Sequence, residues 1–503
     1  MSTVEEWLRH GGPWGEVPAV VETHAAAVFL VGERAFKWKK PVDFGYLDFS
    51  TATKRHDALS NELRLNKRTA PSTYVRLVPI FAHGDTYTLA EHGPAVHGPA
   101  VDWLLEMARF PDGALLAQRA DRGLLDEATI EELARHAAAF HDEAGLVTGY
   151  DWPQATARIA RENTTELRAL GPVFGAHDVE AAIAMREAAH RSCASALAAQ
   201  SADVRHCHGD MHLGNAFLDR GQPTLFDCIE FDDFYATIPP LYDLSYLLMD
   251  LIARGMRRHA NRALNIWAIS RRSALWSTIM DSLAALPLYL AMRAEIRAKV
   301  EARRPGGAAS AQRYLALTPQ MLASSTAQLI AIGGLSGTGK SSLAKAMAWQ
   351  VGGAAGAVHL RSDELRKRLA GTVPTARLPP ESYTAATSER VYDELLRLAK
   401  HALAARATVI VDAVFARQSE REAIEAAARA EGVPFNGLWL EAPAEVLRPR
   451  LAQRTGDASD ADIAVLERQF TYDLGAIRWH RLNAAANAAA VERSALTLVA
   501  VTR

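Results

Sequence analysis

The chain has 503 residues, a formal net charge of −2, and a composition that is 49% hydrophobic and 23% charged. That length exceeds what one compact core fills, so two or three domains are expected. The near-neutral charge gives no general reason to bind nucleic acid or anionic lipid. Three cysteines without metal-ligand spacing exclude a disulfide framework and fit a reducing cytosol. The start, Met1 to Trp7, has no basic and apolar secretion signal, and no run of about eighteen apolar residues occurs. A soluble cytoplasmic protein without a membrane or nucleic-acid partner is the expectation.

Residues 28–38 read as a hairpin that turns at Gly32-Glu33 and ends in Arg34-Ala35-Phe36-Lys37-Trp38. Residues 51–69 have helical composition. A second hairpin, Tyr74 to Phe81 and Thr86 to Ala90, and a strand at Val101–Met107 complete an α+β lobe. Lys37 ends its strand as the phosphate-binding lysine of a kinase small lobe does, with Glu62 on the next helix as its expected partner. Lys39 lies on the same strand face and is a rival. No Gly-x-Gly-x-x-Gly clamp is present. Trp7, Trp14 and Trp103 read as packing residues.

From about 113 to 305 the pattern is mostly helical, as in Ile130–His141 and Val179–Ala199, around a short strand-loop-strand at 204–231. That loop reads His208-Gly209-Asp210-Met211-His212-Leu213-Gly214-Asn215, followed by Asp227 at the end of an apolar strand. Phosphoryl transfer to a hydroxyl needs a carboxylate to take the proton, metal ligands, and a cation on the phosphates. Asp210 fits the base, and Asn215 and Asp227 fit the metal ligands. Glu230, Asp232 and Asp233 follow, either to hold a cationic substrate or to cap local turns. The basic run Arg254–Arg262 reads as a solvated helix face. Arg303 to Ser310 looks like the start of a linker, taken as 306–327.

Residues 328–503 alternate strands and helices, which points to a parallel sheet. Strand Gln328–Ile332 leads into Gly334-Leu335-Ser336-Gly337-Thr338-Gly339-Lys340-Ser341-Ser342, a complete P-loop. Its backbone N–H groups would cradle ATP phosphates, Lys340 would contact them and Ser341 would bind Mg²⁺. Asp412, ending Val409-Ile410-Val411, is a second metal carboxylate. Asp363 and Arg366 fall one helical turn apart after the expected second strand. Arg450 and Arg454 precede the turn Thr455–Asp460.

The first signature, His208, Asp210, Asn215, Asp227 and Glu230, resembles that of the aminoglycoside phosphotransferase / choline kinase family. The resemblance covers residues 1–305 and implies a bilobal protein-kinase-like domain, with a small lobe to about 107 and a large lobe from 108. It implies Asp210 as base, Asn215 and Asp227 as Mg²⁺ ligands, His208 bracing the loop, and Asp243 as a structural aspartate. The stretch Lys37 to Phe44 resembles a bacterial branch of that family fused to a P-loop domain. Residues 328–503 are similar to P-loop kinases of the polynucleotide kinase, gluconate kinase and zeta toxin type. There an aspartate like Asp363 activates the acceptor, an arginine like Arg366 holds it, and a lid arginine like Arg454 neutralises transition-state charge. Together these imply a bifunctional ATP- and Mg²⁺-dependent kinase of small-molecule hydroxyls, in two sequential steps if the second acceptor is anionic. An antibiotic-modifying phosphotransferase, or a kinase with a regulatory P-loop domain, are the alternatives.

Overall fold

The computed structural model describes residues 3–23, 25–43, 48–89, 98–272, 275–372, 376–453 and 458–501. Its contacts divide the chain into two compact units, residues 1–147 with 204–243 and residues 148–203 with 244–503.

The first unit contains a sheet of β1 (Ala19–Glu22), β2 (Ala26–Val31), β3 (Arg34–Lys39), β4 (Tyr74–His83), β5 (Thr86–Leu89) and β6 (Asp102–Ala108). The spatial order is β1-β2-β3-β6-β4-β5, with all pairs antiparallel. Side chains alternate across a strand, so Phe36 and Trp38 of β3 enter one core with Phe29, Val78 and Ile80. Lys37 and Lys39 take the other face. That face is covered by the helix Ala52–Asn66, whose Leu59 packs with Tyr74 and Leu105. The Thr51 hydroxyl starts this helix by accepting the Lys54 N–H. Trp7 is buried in the core and Trp14 packs on Phe29 and Phe36, as expected of packing residues. Two short antiparallel pairs frame the loop that follows: β7 (Arg205–His206) with β10 (Thr237–Ile238), and β8 (Ala216–Asp219) with β9 (Gln222–Leu225).

The second unit holds a parallel sheet of β11 (Leu329–Gly334), β12 (Val358–Arg361), β13 (Val409–Asp412), β14 (Phe435–Glu441) and β15 (His480–Asn483), in the order β12-β13-β11-β14-β15. β11 and β13 are buried throughout, which is why they read as unbroken apolar runs. β15 escaped notice because only Leu482 of its four residues is buried, as befits an edge strand. Among the described residues no helix is long and apolar enough to cross a membrane.

Three expectations change here. The helix expected over 179–199 is two helices, Ala176–Ser192 and Ala194–Gln200, divided at Cys193. The 306–327 stretch, expected as a linker, carries helices Ala308–Leu315 and Leu317–Leu322. Its Ala311 and Leu315 are buried with Leu167, Phe174 and Ala298, a partner surface that local composition does not reveal. The basic run is a solvated face only in part, at Arg258. Arg262 is buried, and Arg257 donates to the carbonyls of Gly353 and Ala354 at 2.7 and 3.0 Å.

Glycines admit two tryptophans to the sheet. A Cβ on Gly437 would lie 2.4 Å from Trp479 Cγ, and one on Gly333 would lie 2.8 Å from the Trp439 ring. Trp479 cannot easily retreat, because its indole N–H is bonded to Glu425 at 2.8 Å. Gly437→Val is therefore expected to lower stability by about 1–3 kcal/mol through overpacking. Urea unfolding checks this against Gly171→Ala, where nothing lies within 4 Å of the added carbon.

Candidate functional site

In the first unit, one carboxylate organises two lysines. Glu62 is fully buried and takes Lys37 Nζ on Oε1 at 2.6 Å and Lys39 Nζ on Oε2 at 2.7 Å. Lys37 also reaches Asp227 Oδ1 at 2.9 Å, and Lys39 pairs with Glu230. The rivalry between the lysines thus becomes a division of labour. Lys37 sits beside half-exposed Asp227, whereas Lys39 lies deeper and closes the cluster. Glu230, expected to touch the acceptor, instead spends its carboxylate on Lys39, because two buried ammoniums need more negative charge than Glu62 supplies. Its carbonyl accepts from Asn61 Nδ2 at 2.6 Å. Asp232 caps a turn, accepting the Phe234 N–H at 2.9 Å.

Asp227 has φ +60, a left-handed conformation uncommon outside glycine. It is held by its N–H on the Tyr74 hydroxyl at 3.2 Å and by the Cys228 N–H on Asn66 Oδ1 at 2.8 Å. Asp243 braces the other loop, accepting the N–H groups of His208 and Gly209 at 2.9 Å each and facing His141 Nε2 at 3.1 Å. His208 Nε2 lies 3.0 Å from the Phe226 carbonyl, and the Phe226 N–H donates to the Asn215 carbonyl at 3.0 Å, so the two loops are tied together. Asp210 Oδ2 accepts Asn215 Nδ2 at 2.8 Å, with His212 Nε2 at 3.4 Å. The Asn215 amide nitrogen is used on Asp210, which makes its carbonyl oxygen the atom available to a cation.

Burial pushes the Glu62 carboxyl up, but Lys37 and Lys39 outweigh it and hold it below its ordinary 4.5. Burial lowers Lys37, and Asp227 and Glu62 more than reverse this. A depressed carboxylate contributes stability that is complete above its unfolded pKa and lost as pH falls through the folded one. Glu62→Gln, which strands two buried ammoniums, is expected to cost about 3–5 kcal/mol at neutral pH. That gap to the wild type narrows as pH falls below the ordinary carboxylate value. Denaturant unfolding at pH about 7 and about 3 measures both, and a pH-independent gap would contradict the assignment.

In the second unit the P-loop joins β11 to the helix Lys340–Ala348, which carries Ser341 and Ser342 in its first turn. Gly337 and Gly339 have φ +83 and +88. A Cβ on Gly334 would meet the Leu440 carbonyl at 2.4 Å, so this position needs glycine. Thr338 Oγ1 and Lys340 Nζ both donate to the Leu335 carbonyl, at 2.7 and 3.0 Å. The Ser336 N–H donates to Gln469 Oε1 at 2.7 Å. Asp412 ends β13 and is buried; its Oδ2 faces His359 Nε2 at 3.3 Å. Burial raises its pKa, but His359, Arg361 and Lys340 bring it down to about 2. Asp363 opens the helix Ser362–Leu369, and Arg366 follows one turn later. Arg366 donates to the Ser382 carbonyl at 3.0 Å and lies over the Tyr383 ring. Arg454 lies outside the described residues, as do Thr455 to Asp457. Asp460, just beyond, pairs with buried Lys367 at 3.0 Å and accepts the Leu378 N–H at 3.0 Å.

Sequence reasoning missed His359, Lys367, Asp460 and Gln469. For His359 the available signal was a polar residue in an otherwise apolar segment; Lys367, Asp460 and Gln469 lie in charged or polar stretches that carry none.

A model of the Phosphotransferase enzyme family matches residues 54–275, and a model of the AAA domain family matches residues 329–472. "Uncharacterized protein Rv2004c" of Mycobacterium tuberculosis (strain ATCC 25618 / H37Rv) is 30% identical over 490 residues, 93% of this chain and 92% of that protein. Among solved structures, a glucosamine kinase in complex with glucosamine, ADP and inorganic phosphate is similar at TM-score 0.36 and 16% identity, over 60% of this chain and 79% of that one. A gluconokinase from Sinorhizobium meliloti 1021 is similar at TM-score 0.25 and 24% identity, over 35% of this chain and 94% of that one. The chain belongs to the same family as that mycobacterial protein, and its match to the Phosphotransferase enzyme family over residues 54–275, followed by a P-loop-bearing AAA-family domain over 329–472, makes it a phosphotransferase.

Proposed function

We propose that the chain is a bifunctional ATP-dependent kinase, each site transferring the γ-phosphoryl group of ATP to a hydroxyl of a small molecule in the cytoplasm. The observation that carries the reading is the Lys37 bridge, one ammonium shared between Glu62 and Asp227. It supplies a fixed cation for the phosphates next to a carboxylate able to hold a metal.

Asn215 with Asp227 in the first site, and Ser341 with Asp412 in the second, offer oxygen donors only, which suits a hard cation such as Mg²⁺. Bound there, Mg²⁺ would offset charge on the phosphate oxygens. In the first site Asp210, oriented by Asn215, accepts the proton of the acceptor hydroxyl. The acceptor oxygen forms its bond to the γ-phosphorus as the bond to the β–γ bridging oxygen breaks, and ADP leaves. Lys37 stays over the non-transferred phosphates.

In the second site the backbone N–H groups of Gly337, Gly339, Lys340 and Ser341 and the Lys340 ammonium receive the phosphates. Asp363 takes the acceptor proton, and Arg454 is proposed as the lid cation. Arg366 is buried, its Nε has no partner, and no carboxylate lies in ion-pair range among the described residues. A buried guanidinium without a counter-charge favours an anionic acceptor, such as the phosphorylated product of the first site.

³¹P NMR of the full chain with ATP, Mg²⁺ and a pool of small alcohols and amino sugars tests this. Asp210→Asn is expected to slow formation of the first phosphate ester by about 100-fold or more, and Asp363→Asn that of the second. A single product, formed at the wild-type rate by Asp363→Asn, would leave the P-loop domain as a switch rather than a kinase.

A further inference from the structure

β12 is the edge strand of the P-loop sheet, and an edge exposes unpaired backbone groups. Here a helix covers them. Arg257, Asn261 and Asn265 are spaced four residues apart on the helix Arg257–Ser270 and so share one face. Asn265 Oδ1 accepts the His359 N–H at 2.7 Å, while its Nδ2 donates to the Ala357 carbonyl at 3.1 Å. Asn261 Nδ2 donates to the carbonyls of Ala355 and Ala357, at 2.9 Å each. Arg257 continues the row on Gly353 and Ala354. The amide of Asn265 thus gives and accepts as a neighbouring strand would. From the sheet side, Arg368 reaches back to the Ile269 carbonyl at 3.0 Å and lies over Trp276.

The strand so held carries His359. Its N–H points outward to Asn265, and its imidazole lies 3.3 Å from Asp412 Oδ2 on the neighbouring strand, with both side chains almost wholly buried. An ionised carboxylate only accepts, so Nε2 carries the proton in this contact. The bond engages one carboxylate oxygen, Oδ2, which Arg361 Nε also approaches at 3.9 Å, and so restrains the group.

We propose that the helix Arg257–Ser270, part of the phosphotransferase-family segment, is a component of the second site: it docks on β12 and, through His359, orients Asp412 toward the metal. His359 is then a positioning residue, and the P-loop domain draws part of its metal site from the large lobe of the other kinase. The inference rests on the reading of Asp412 as a metal-holding carboxylate.

The test uses the full chain carrying Asp227→Ala, which disables the metal carboxylate of the first site. Mn²⁺ is titrated with a non-hydrolysable ATP analogue and followed by electron paramagnetic resonance. His359→Ala is expected to weaken Mn²⁺ binding by about 10- to 100-fold, the usual cost of removing a hydrogen bond behind a ligand. His359→Gln, which keeps an N–H donor, restores most of it. Asn265→Ala weakens binding and speeds hydrogen exchange in peptides spanning 355–361. Unchanged Mn²⁺ binding in His359→Ala, no rescue by glutamine, or unchanged exchange in Asn265→Ala would each overturn the proposal. Asp412→Asn separates the two levels. If it abolishes binding while His359→Ala does not, the positioning role alone fails; if it too leaves binding unchanged, the metal reading of Asp412 fails with it.

Discussion

Burying Glu62 between two lysines is the constraint on which the first unit depends. A carboxylate with no exposure is tolerable only when opposite charge surrounds it, and β3 provides that charge twice, because Lys37 and Lys39 lie two residues apart on one face. Two ammoniums in turn require further carboxylates, and these come from Asp227 and Glu230, beyond β9. The strand, the covering helix and the metal-side segment are thereby locked to one another by charge. The geometry suited to phosphate follows from neutralising the cluster: Lys37 is left at its exposed edge beside Asp227.

The second unit meets the same chemical demand differently. Its proposed phosphate donors are backbone N–H groups, so the requirement falls on glycines at positive φ and on a close pass of Gly334 beside Leu440. Backbone donors need a firmly held loop. Gln469 takes the Ser336 N–H, and Leu335 packs near Leu447, Leu451 and Leu466. The Asp412 carboxylate, by contrast, is faced by a neighbouring side chain, His359, whose strand is held by a helix far away in sequence. One chain thus carries a side-chain cation fixed by burial and a backbone nest shaped by glycine, the two features on which the proposed function rests.

What could be read from the sequence were patterns local along the chain. The eight residues from His208 to Asn215 and the nine from Gly334 to Ser342 announce their chemistry because phosphate handling fixes residue types at short spacings. The parallel sheet was legible because strands buried on both faces are uniformly apolar. What escaped depended on distant partners. In the sequence Glu230 reads as a substrate ligand or a local cap, because nothing nearby shows that Lys39, 191 residues away, claims its carboxylate. The basic run reads as a solvated face because the carbonyls met by Arg257 lie 96 and 97 residues on. The two helices after Arg303 read as a linker because their apolar side is small, and only a tertiary surface makes four buried residues, Ala311, Leu315, Thr318 and Met321, sufficient.

On the proposed function, two separate nucleotide sites share this chain. The most direct measurement is the stoichiometry of a non-hydrolysable ATP analogue with Mg²⁺ at equilibrium dialysis. Two equivalents per wild-type chain are expected, falling to one in Lys37→Met and to one in Lys340→Met. A single equivalent in the wild type, or one lost in neither variant, would contradict the account.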